Sequence, residues 1–179
     1  MRRFFILGAV FVFSMAMLMT ACKKDEVKNN GNNNGDSDGG GGTAAGYVDL
    51  GLPSGTKWKS VNETGGYNGF YTYEEAVSAF GDKLPTKEQL EELKVYCAWE
   101  WQNNGGYKVT GTNGNSIVLP AAGYRDCDGN LGGVGSYSHY WSSTSYNSDC
   151  AWFLGIHSGG VDVDWLDRCH GYPVRLVQD

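Results

Sequence analysis

The chain has 179 residues, with 14 basic and 20 acidic side chains and a formal net charge of −6 at pH 7. This acidic balance opposes phosphate backbones and anionic headgroups, so nucleic acid is excluded as an expected partner. The 27 glycines indicate many loops and tight turns.

The first 21 residues predict an export signal. Arg2 and Arg3 precede an apolar run from Phe4 to Met19, and small residues follow before Cys22. The run is marginal for a bilayer, which needs roughly 20 apolar residues, so a secretory signal is favoured over a membrane span. Its removal leaves 12 basic residues against 20 acidic ones, a formal charge of −8.

The residues around this cysteine resemble a bacterial lipoprotein signal. In Leu18-Met19-Thr20-Ala21-Cys22, the cysteine stands where the acylated first residue of a mature lipoprotein stands. The following Lys24-Asp25-Glu26 resembles the signal that sends lipoproteins to the outer face of the outer membrane. The resemblance implies lipidation of Cys22 and a bacterial outer-membrane anchor with the protein facing the exterior. Ordinary cleavage with an unmodified Cys22 is the alternative.

Residues 22–46 predict a flexible tether after the lipidated cysteine. From Asn29 to Gly46 the sequence is almost wholly Asn, Gly, Ser, Asp and Ala, with little to bury. Its root-mean-square reach is roughly 25–30 Å, which is enough to hold a domain clear of the lipid surface. Residues 47–179 then suffice for one domain and are too short for two.

Two helices are predicted early in this domain. Thr72-Tyr73-Glu74-Glu75 is a capping box that opens a helix ending near Phe80, before Gly81. Pro85-Thr86-Lys87-Glu88-Gln89 opens a second helix, which is expected to run to about Trp101. Its buried stripe is predicted from three- and four-residue spacing, and consists of Leu90, Leu93, Cys97 and Trp101.

Most of the remaining sequence predicts strands. Residues 107–110 and 116–119 form a hairpin around Asn113-Gly114, a strong turn signal. Further strands are expected at residues 47–50, 56–61, 139–143, 151–157, 161–166 and 172–177. Because helices come early and strands late, the fold class is α+β rather than alternating βαβ.

Several distinctive motifs together resemble the FISUMP domain of bacterial surface lipoproteins. That family is similar in fold to C-type lectins, so the resemblance implies a small mixed sheet, two helices, long loops and neighbouring chain ends. It covers nearly all of residues 47–179. The matching segments are Val48 to Trp58, Leu84-Pro85-Thr86, Cys97 to Trp101, Leu119 to Arg125, Tyr140 to Ser143 and Gly171 to Arg175.

Metal and cofactor sites are not expected. Asp162 and Asp164 form a DxD pair, but they alternate with apolar residues as solvated carboxylates of a half-buried strand do. Cys169-His170 lacks a neighbouring CxxC or HxxxH partner for zinc. Residues 126–130 imitate the start of a calcium loop with glycine at the wrong position. The calcium motifs of sugar-binding C-type lectins are also missing from the sequence.

No catalytic residue is assigned, and the chain is expected not to be an enzyme. Ser136 lacks the glycine two places later that a nucleophile elbow requires. Four cysteines follow Cys22, and export permits disulfides, but sequence leaves their three pairings open. Cys97 is most simply a buried thiol. The enzyme branch of the resembled fold uses cysteines, but for Cys150 and Cys169 a surface disulfide or two independent thiols are favoured.

The C-terminal region has a peculiar composition. Residues 142–177 contain no Lys, Glu, Gln or Met, although residues 47–141 use Lys and Glu freely. Apart from Trp152 and Trp165, every residue in the region is one that an NNC codon encodes. This composition results when the adenines of AAC codons are replaced at random. The preference of strands and tight turns for other residues is the alternative explanation.

Alternation along two of the predicted strands separates a regular face from an irregular one. Trp152, Leu154 and Ile156 are regularly apolar and are predicted to face the core, whereas the intervening Phe153 and Gly155 share no chemistry. The next strand repeats the pattern, with Val161, Val163 and Trp165 on the regular face. A constant framework therefore alternates with unconstrained residues that are predicted to point outward.

This pattern resembles the variable proteins of diversity-generating retroelements, whose C-type-lectin folds end in a rewritten ligand-binding region. The resemblance implies a ligand-binding role for Cys150, Phe153, Gly155, His157, Asp162, Asp164, Leu166, Asp167, Cys169 and His170. It implies a framework role for Trp141 and Arg175. We therefore expect a surface lipoprotein that binds an external protein or glycan, with a fixed adhesin or structural surface protein as the alternative.

Overall fold

The computed structural model describes residues 46–179. The predicted signal peptide, the lipidation of Cys22 and nearly all of the tether lie outside the described residues. Within residues 46–179, no helix is both long and apolar enough to cross a bilayer.

The described residues form eleven strands, two helices and a 3₁₀ turn. The helices are α1 (Tyr73–Phe80) and α2 (Lys87–Tyr96), with the 3₁₀ turn Gly81–Lys83 between them. The strands are β1 (Tyr47–Asp49), β2 (Lys57–Lys59), β3 (Ala98–Trp101), β4 (Gly106–Thr110), β5 (Ser116–Pro120), β6 (Tyr124–Arg125), β7 (Leu131–Gly132), β8 (Tyr137–Ser145), β9 (Cys150–His157), β10 (Gly160–Asp167) and β11 (Val177–Gln178).

The strands assemble into four small antiparallel sheets, which with the two helices make the expected α+β fold. Their orders are β1-β2-β11, β10-β9-β8, β3-β4-β5 and β6-β7. The first and last strands both pair with β2, so the two ends of the described region meet in one sheet.

Helix α1 begins and ends where the sequence predicts. The Thr72 side chain accepts a hydrogen bond from the Glu75 amide, and the Glu75 carboxylate accepts one from the Thr72 amide. This capping box satisfies two amides that have no partner within the helix. Gly81 then takes a positive φ of 52° and ends the helix.

Helix α2 also begins as predicted but ends five residues earlier than the sequence analysis expects. Thr86 and Gln89 form its capping box, while Cys97 is the C-cap and residues 98–101 form β3. The tryptophans at residues 99 and 101 pack edge-on against Tyr107 of β4, with ring centroids 5.4 and 5.0 Å apart. This cross-strand packing and the ladder to β4 outweigh continuation of the helix.

The predicted hairpin is confirmed, whereas the last predicted strand is mostly absent. β4 pairs with β5 around Gly114, whose φ is 85°. Residues 172–176 run without a ladder to another strand, apart from a single bridge between Tyr71 and Tyr172. They are nevertheless buried, so the apolar pattern there marks a core segment and not a strand.

Two clusters of buried side chains lie on opposite faces of the β8–β10 sheet. The first contains Leu154 and Ile156 of β9 with the buried stripe of α2. The second contains Phe153 of β9 with Trp141 and Tyr172. Since successive side chains of a strand point to opposite faces, β9 contributes to both clusters and is buried on both sides.

Arg175 is a buried structural residue, in keeping with its predicted framework role. Its side chain donates to the Oδ1 of Asn62 at 2.6 and 2.8 Å and to the carbonyls of Lys59 and Val118. Burial lowers the pKa of the guanidinium to about 10, so it stays charged at neutral pH. These bonds join the loop after β2 to β5.

Candidate functional site

The register of the β8–β10 sheet places several predicted binding residues side by side. Gly155 of β9 lies directly opposite Asp162 of β10 and His139 of β8. Phe153 lies opposite Asp164. Directly opposite residues of antiparallel strands project from the same face, so these side chains share one face of the sheet.

A concave pocket of about 400 Å³ opens on this face. Eight residues line it, namely Tyr137, His139, Phe153, Gly155, Ile156, His157, Asp162 and Asp164. Five of them belong to the ten residues to which the sequence assigns a binding role. Residues from all three strands therefore form one site, which we call the β8–β10 pocket.

The expectation that all ten residues point outward is wrong for Phe153, Gly155 and Cys150, which are buried. Only 7% of Phe153 is exposed, because its ring packs against His139 and Tyr172 at centroid distances of 4.5 and 5.5 Å. A Cβ on Gly155 would lie 3.2 Å from the Phe153 ring, so that ring covers the glycine. Phe153 and Gly155 thus form the pocket floor, while their roles in binding stay predictions.

The other predicted binding residues do not line the pocket. Leu166 is half-buried and packs against the second core cluster. The carboxylate of Asp167 lies 3.4 Å from the thiol of Cys150. Cys169 is disulfide-bonded to Cys127, and His170 lies against Tyr172 at a centroid distance of 5.9 Å. These residues gather where β10 ends.

Aromatic rings connect the pocket to this second group. Tyr124 lies 5.8 Å from His139 and 6.1 Å from His170, measured between ring centroids. Tyr172 lies 4.9 Å from His139. The predicted binding residues are therefore joined along one face by rings from β6, from β8 and from residue 172.

His139 is a site residue that the sequence analysis missed. Its ring is half-buried, and its Nδ1 has no hydrogen-bond partner within the described residues. Burial lowers the pKa of the imidazole from 6.5 to about 4, so the ring is neutral at pH 7. Tyr137, His139 and Trp141 alternate along β8, which indicates that they share one face of the strand. The binding residues were predicted from a compositional bias that begins only at residue 142, so His139 falls outside it.

Asp162 and Asp164 stand at the edge of the pocket on strand β10, and both are exposed. The Asp162 carboxylate lies 3.3 Å from the Nζ of Lys94. The Asp164 carboxylate accepts a hydrogen bond from the Trp165 amide at 2.8 Å. His157 is also exposed, and its Nδ1 accepts from the amide of Gly159.

The cysteines pair as Cys127–Cys169, while Cys97 and Cys150 are free and buried. The sequence leaves the pairing open, and neither alternative favoured for Cys150 and Cys169 describes the structure, because Cys169 is bonded to Cys127 while Cys150 is a free thiol. Burial raises the pKa of the Cys97 thiol to about 11, and burial with the adjoining Asp167 raises that of Cys150. Both thiols are protonated at neutral pH, as structural cysteines are.

One group in the described region has the residue types of a metal site. The sulfurs of Cys127 and Cys169 and a ring nitrogen of His170 lie within 4.8 Å of one another. Cys127 is 42 residues from Cys169 in the sequence, so the sequence alone does not predict that these three side chains meet. Because the two sulfurs are bonded to each other, neither is a free thiolate, the form in which cysteine binds metals.

The tryptophans of the regular face are less buried than the sequence predicts. Trp165 is 41% exposed and stacks on Tyr146 with ring centroids 4.4 Å apart. Trp152 is half-buried, and the Nζ of Lys87 lies 4.2 Å from its ring centroid. Only Leu154 and Ile156 of that face of β9 are fully buried, because the first core cluster does not extend to Trp152.

Comparison with known proteins adds one family match. A model described as a domain of unknown function (DUF8237) matches residues 98–177. The matched region runs from β3 to the start of β11 and includes all strands that line the β8–β10 pocket. No curated protein and no solved structure matches the chain.

Proposed function

We propose that the chain is a lipid-anchored surface protein of the bacterial outer membrane whose C-type-lectin-like domain binds an external protein or glycan. The main support for this proposal is that several predicted binding residues line one pocket. Five residues chosen from sequence composition and alternation meet at one concavity, although they come from two strands. The β9–β10 register already brings these residues to one face of the sheet, and the proposal is supported by their lining a concave pocket there and not a flat surface.

The construction of the pocket suits recognition. Its volume of about 400 Å³ lies within the usual range for binding sites, roughly 300–1,000 Å³. Its floor is the buried Phe153, and its polar groups, His157 and Asp164, are exposed. A floor fixed by the core loses little conformational entropy when a ligand binds.

The proposal includes a diversified C-terminal region, as in the retroelement variable proteins that the sequence resembles. Four of its framework residues support this, because Trp141, Leu154, Ile156 and Arg175 are at most 1% exposed. The framework residues Trp152, Val161 and Val163 are half-buried. By contrast, His157, Asp162 and Asp164 can change without disturbing a core. Substitutions at Phe153 and Gly155 would alter the depth of the pocket as well as its chemistry.

Sequencing many cells of one strain tests the diversification. We expect substitutions in the codons of residues 142–177 to fall at adenines and at the ten proposed binding positions, with the codons of residues 47–141 as internal control. An invariant C-terminal region would contradict diversification in that strain. It would favour the alternative of a fixed adhesin of the same fold.

Binding itself is tested with variants of the complete mature protein. His157→Ala combined with Asp164→Asn removes two exposed pocket groups, so we expect a folded protein with at least roughly tenfold weaker binding. Asp128→Asn is the matched control, since this exposed loop carboxylate lies outside the pocket. The readout is the affinity for hits from arrays of glycans and extracellular proteins. Unchanged affinity of the double variant would place the binding surface elsewhere.

The proposal assigns no reaction to the chain and no role for nucleic acid. The exposed carboxylates and the acidic balance of the sequence oppose a polyanionic partner. A catalytic turnover that is lost in Cys150→Ser or Cys169→Ser would contradict the non-enzymatic proposal.

A further inference from the structure

The charged groups of the β8–β10 pocket are carboxylates. Asp162 and Asp164 both line it, and no lysine or arginine is among its eight lining residues. Asp162 has a partner in Lys94, at 3.3 Å. Asp164 has no cationic group within 4.0 Å anywhere in residues 46–179. The pocket edge therefore carries a negative charge that the described residues do not compensate.

The rest of the lining is largely aromatic. The Phe153 ring forms the floor with His139, at a centroid distance of 4.5 Å, and Tyr137 lies 5.9 Å from His139. Aromatic faces carry partial negative charge and attract cations, more strongly where water is excluded. His139 adds no opposing charge, because burial holds its pKa near 4.

These two features select among ligand groups. An anion would meet the Asp164 carboxylate, which has no compensating cation within 4.0 Å in residues 46–179. A neutral group would partly desolvate Asp164 without neutralising it. A guanidinium or ammonium group would both pair with Asp164 and lie over the aromatic floor.

We propose that the β8–β10 pocket binds an arginine or lysine side chain presented by a basic segment of a partner protein. The inference rests on the proposed function, because it names the chemical class of ligand for the same pocket. A cavity of about 400 Å³ accommodates one such side chain with part of its neighbours. The net negative charge of the protein also accelerates encounter with a basic partner.

A displayed library of random short peptides, selected on the complete mature protein, tests this. We expect the captured peptides to be enriched in Arg or Lys, with affinities that fall as salt is added. Asp164→Asn keeps the size of the side chain and the acceptor for the Trp165 amide. It should therefore weaken binding roughly tenfold without loss of thermal stability. Asp128→Asn, the same change of charge outside the pocket, should leave binding unchanged.

The possible results separate this inference from the function on which it rests. Peptides that need Tyr137 and His157 but show no basic enrichment and tolerate Asp164→Asn would overturn the ligand class and leave a binding pocket. The same holds for a glycan whose binding needs the pocket but not Asp164. Selection of no peptide whose capture depends on any pocket residue would overturn the ligand class, and the proposed function would fall with it only if the glycan and protein arrays also gave no pocket-dependent hit. Equal weakening of peptide binding by Asp128→Asn would show that binding depends on the overall charge of the protein. It would overturn the proposed pairing of Asp164 with a basic side chain.

Discussion

Phe153 belongs to the core of the domain as well as to the lining of the pocket. It is 7% exposed and packs with His139 and Tyr172 in the second core cluster. We expect Phe153→Ala to lower the free energy of unfolding by about 3 kcal/mol, because it removes a buried ring and leaves a cavity. His157→Ala removes an exposed ring and should cost less than about 0.5 kcal/mol. Urea unfolding checks both, and equal losses would contradict the burial of Phe153.

His139 makes the stability of the domain dependent on pH. Its pKa in the folded state, about 4, lies below the ordinary 6.5, so the unfolded chain binds more protons between these values. The stabilisation from keeping this ring neutral is present above about pH 6.5 and is lost as the pH falls to about 4. It amounts to at most roughly 3 kcal/mol.

Replacing His139 isolates this contribution. In His139→Phe, the free energy of unfolding should fall less steeply between pH 6.5 and 4 than in the wild type. Carboxylates with shifted pKa values, such as Asp126, whose pKa is lowered by its hydrogen bonds with Asn130, are common to both proteins and cancel. Parallel pH profiles measured by chemical denaturation would show that His139 is protonated equally in both states.

Sequence alternation correctly groups residues by face but does not determine which faces are covered. It places Phe153 and Gly155 together, and the ladder register agrees. The burial of Phe153 depends on Tyr172, which reaches this face from a segment without a strand ladder. Tyr124 of the two-residue strand β6 packs against the neighbouring His139. Such long-range coverage leaves no periodic signal in β9 itself. The same limitation explains why Cys127 was not recognised as the partner of Cys169.

Among the secondary-structure elements, the β4–β5 hairpin is tied closely to the chain after β1. The Thr112 hydroxyl donates to the carbonyl of Gly51, and the side-chain amides of Asn113 and Asn115 donate to the carbonyl of Asp49. At Gly111 the backbones are so close that a Cβ would lie 1.9 Å from the carbonyl oxygen of Leu50. The turn and the first strand therefore hold each other in place.

We expect Gly111→Ala to cost more than about 3 kcal/mol, because the backbone of Leu50 must move to admit a methyl group. Gly114→Ala is the matched control in the same turn. It has open space around its Cβ position but a φ of 85°, so it should cost only about 1–2 kcal/mol. Denaturation midpoints compare the two variants. Similar losses would mean that steric contact with Leu50 does not limit this turn.

Local signals predict the starts of elements better than their ends. Both helix starts follow from capping boxes whose bonds lie within four residues, so the sequence contains the whole mechanism. The end of α2 depends on residues 98–101 pairing with β4, which is a tertiary preference. The same holds for residues 172–176, whose apolar pattern fits burial without a neighbouring strand.

For the molecule as a whole, the Cys127–Cys169 disulfide closes a large loop. The two cysteines are 42 residues apart, and β8, β9 and β10 all lie between them. Closing a loop of this length in the unfolded chain stabilises the fold by roughly 3–4 kcal/mol. We expect the double variant Cys127→Ser, Cys169→Ser to lose most of this in guanidinium unfolding. A loss below about 1 kcal/mol would show that the unfolded state is restricted in another way.

The α+β class follows from the order of helices and strands along the sequence, because each element carries its own periodicity. The division into four small sheets does not follow, since it depends on which strands meet. β11 pairs with β2 across more than a hundred intervening residues, and such a contact has no local signature. Sequence alone thus predicts the class and five of the eight residues that line the pocket, but neither the depth of the pocket nor its aromatic lining from β8.

The position of β9 also determines how the amide hydrogens of this domain should exchange with solvent. β9 is paired on both edges and buried on both faces, so its amides should exchange only when the whole domain unfolds. β10 has no partner strand on its outer edge within residues 46–179, and its outward amides should exchange through local fraying. The floor of the pocket, on β9, should therefore exchange slowly, whereas its wall on β10 should exchange faster, so we expect the rim to be more mobile than the base.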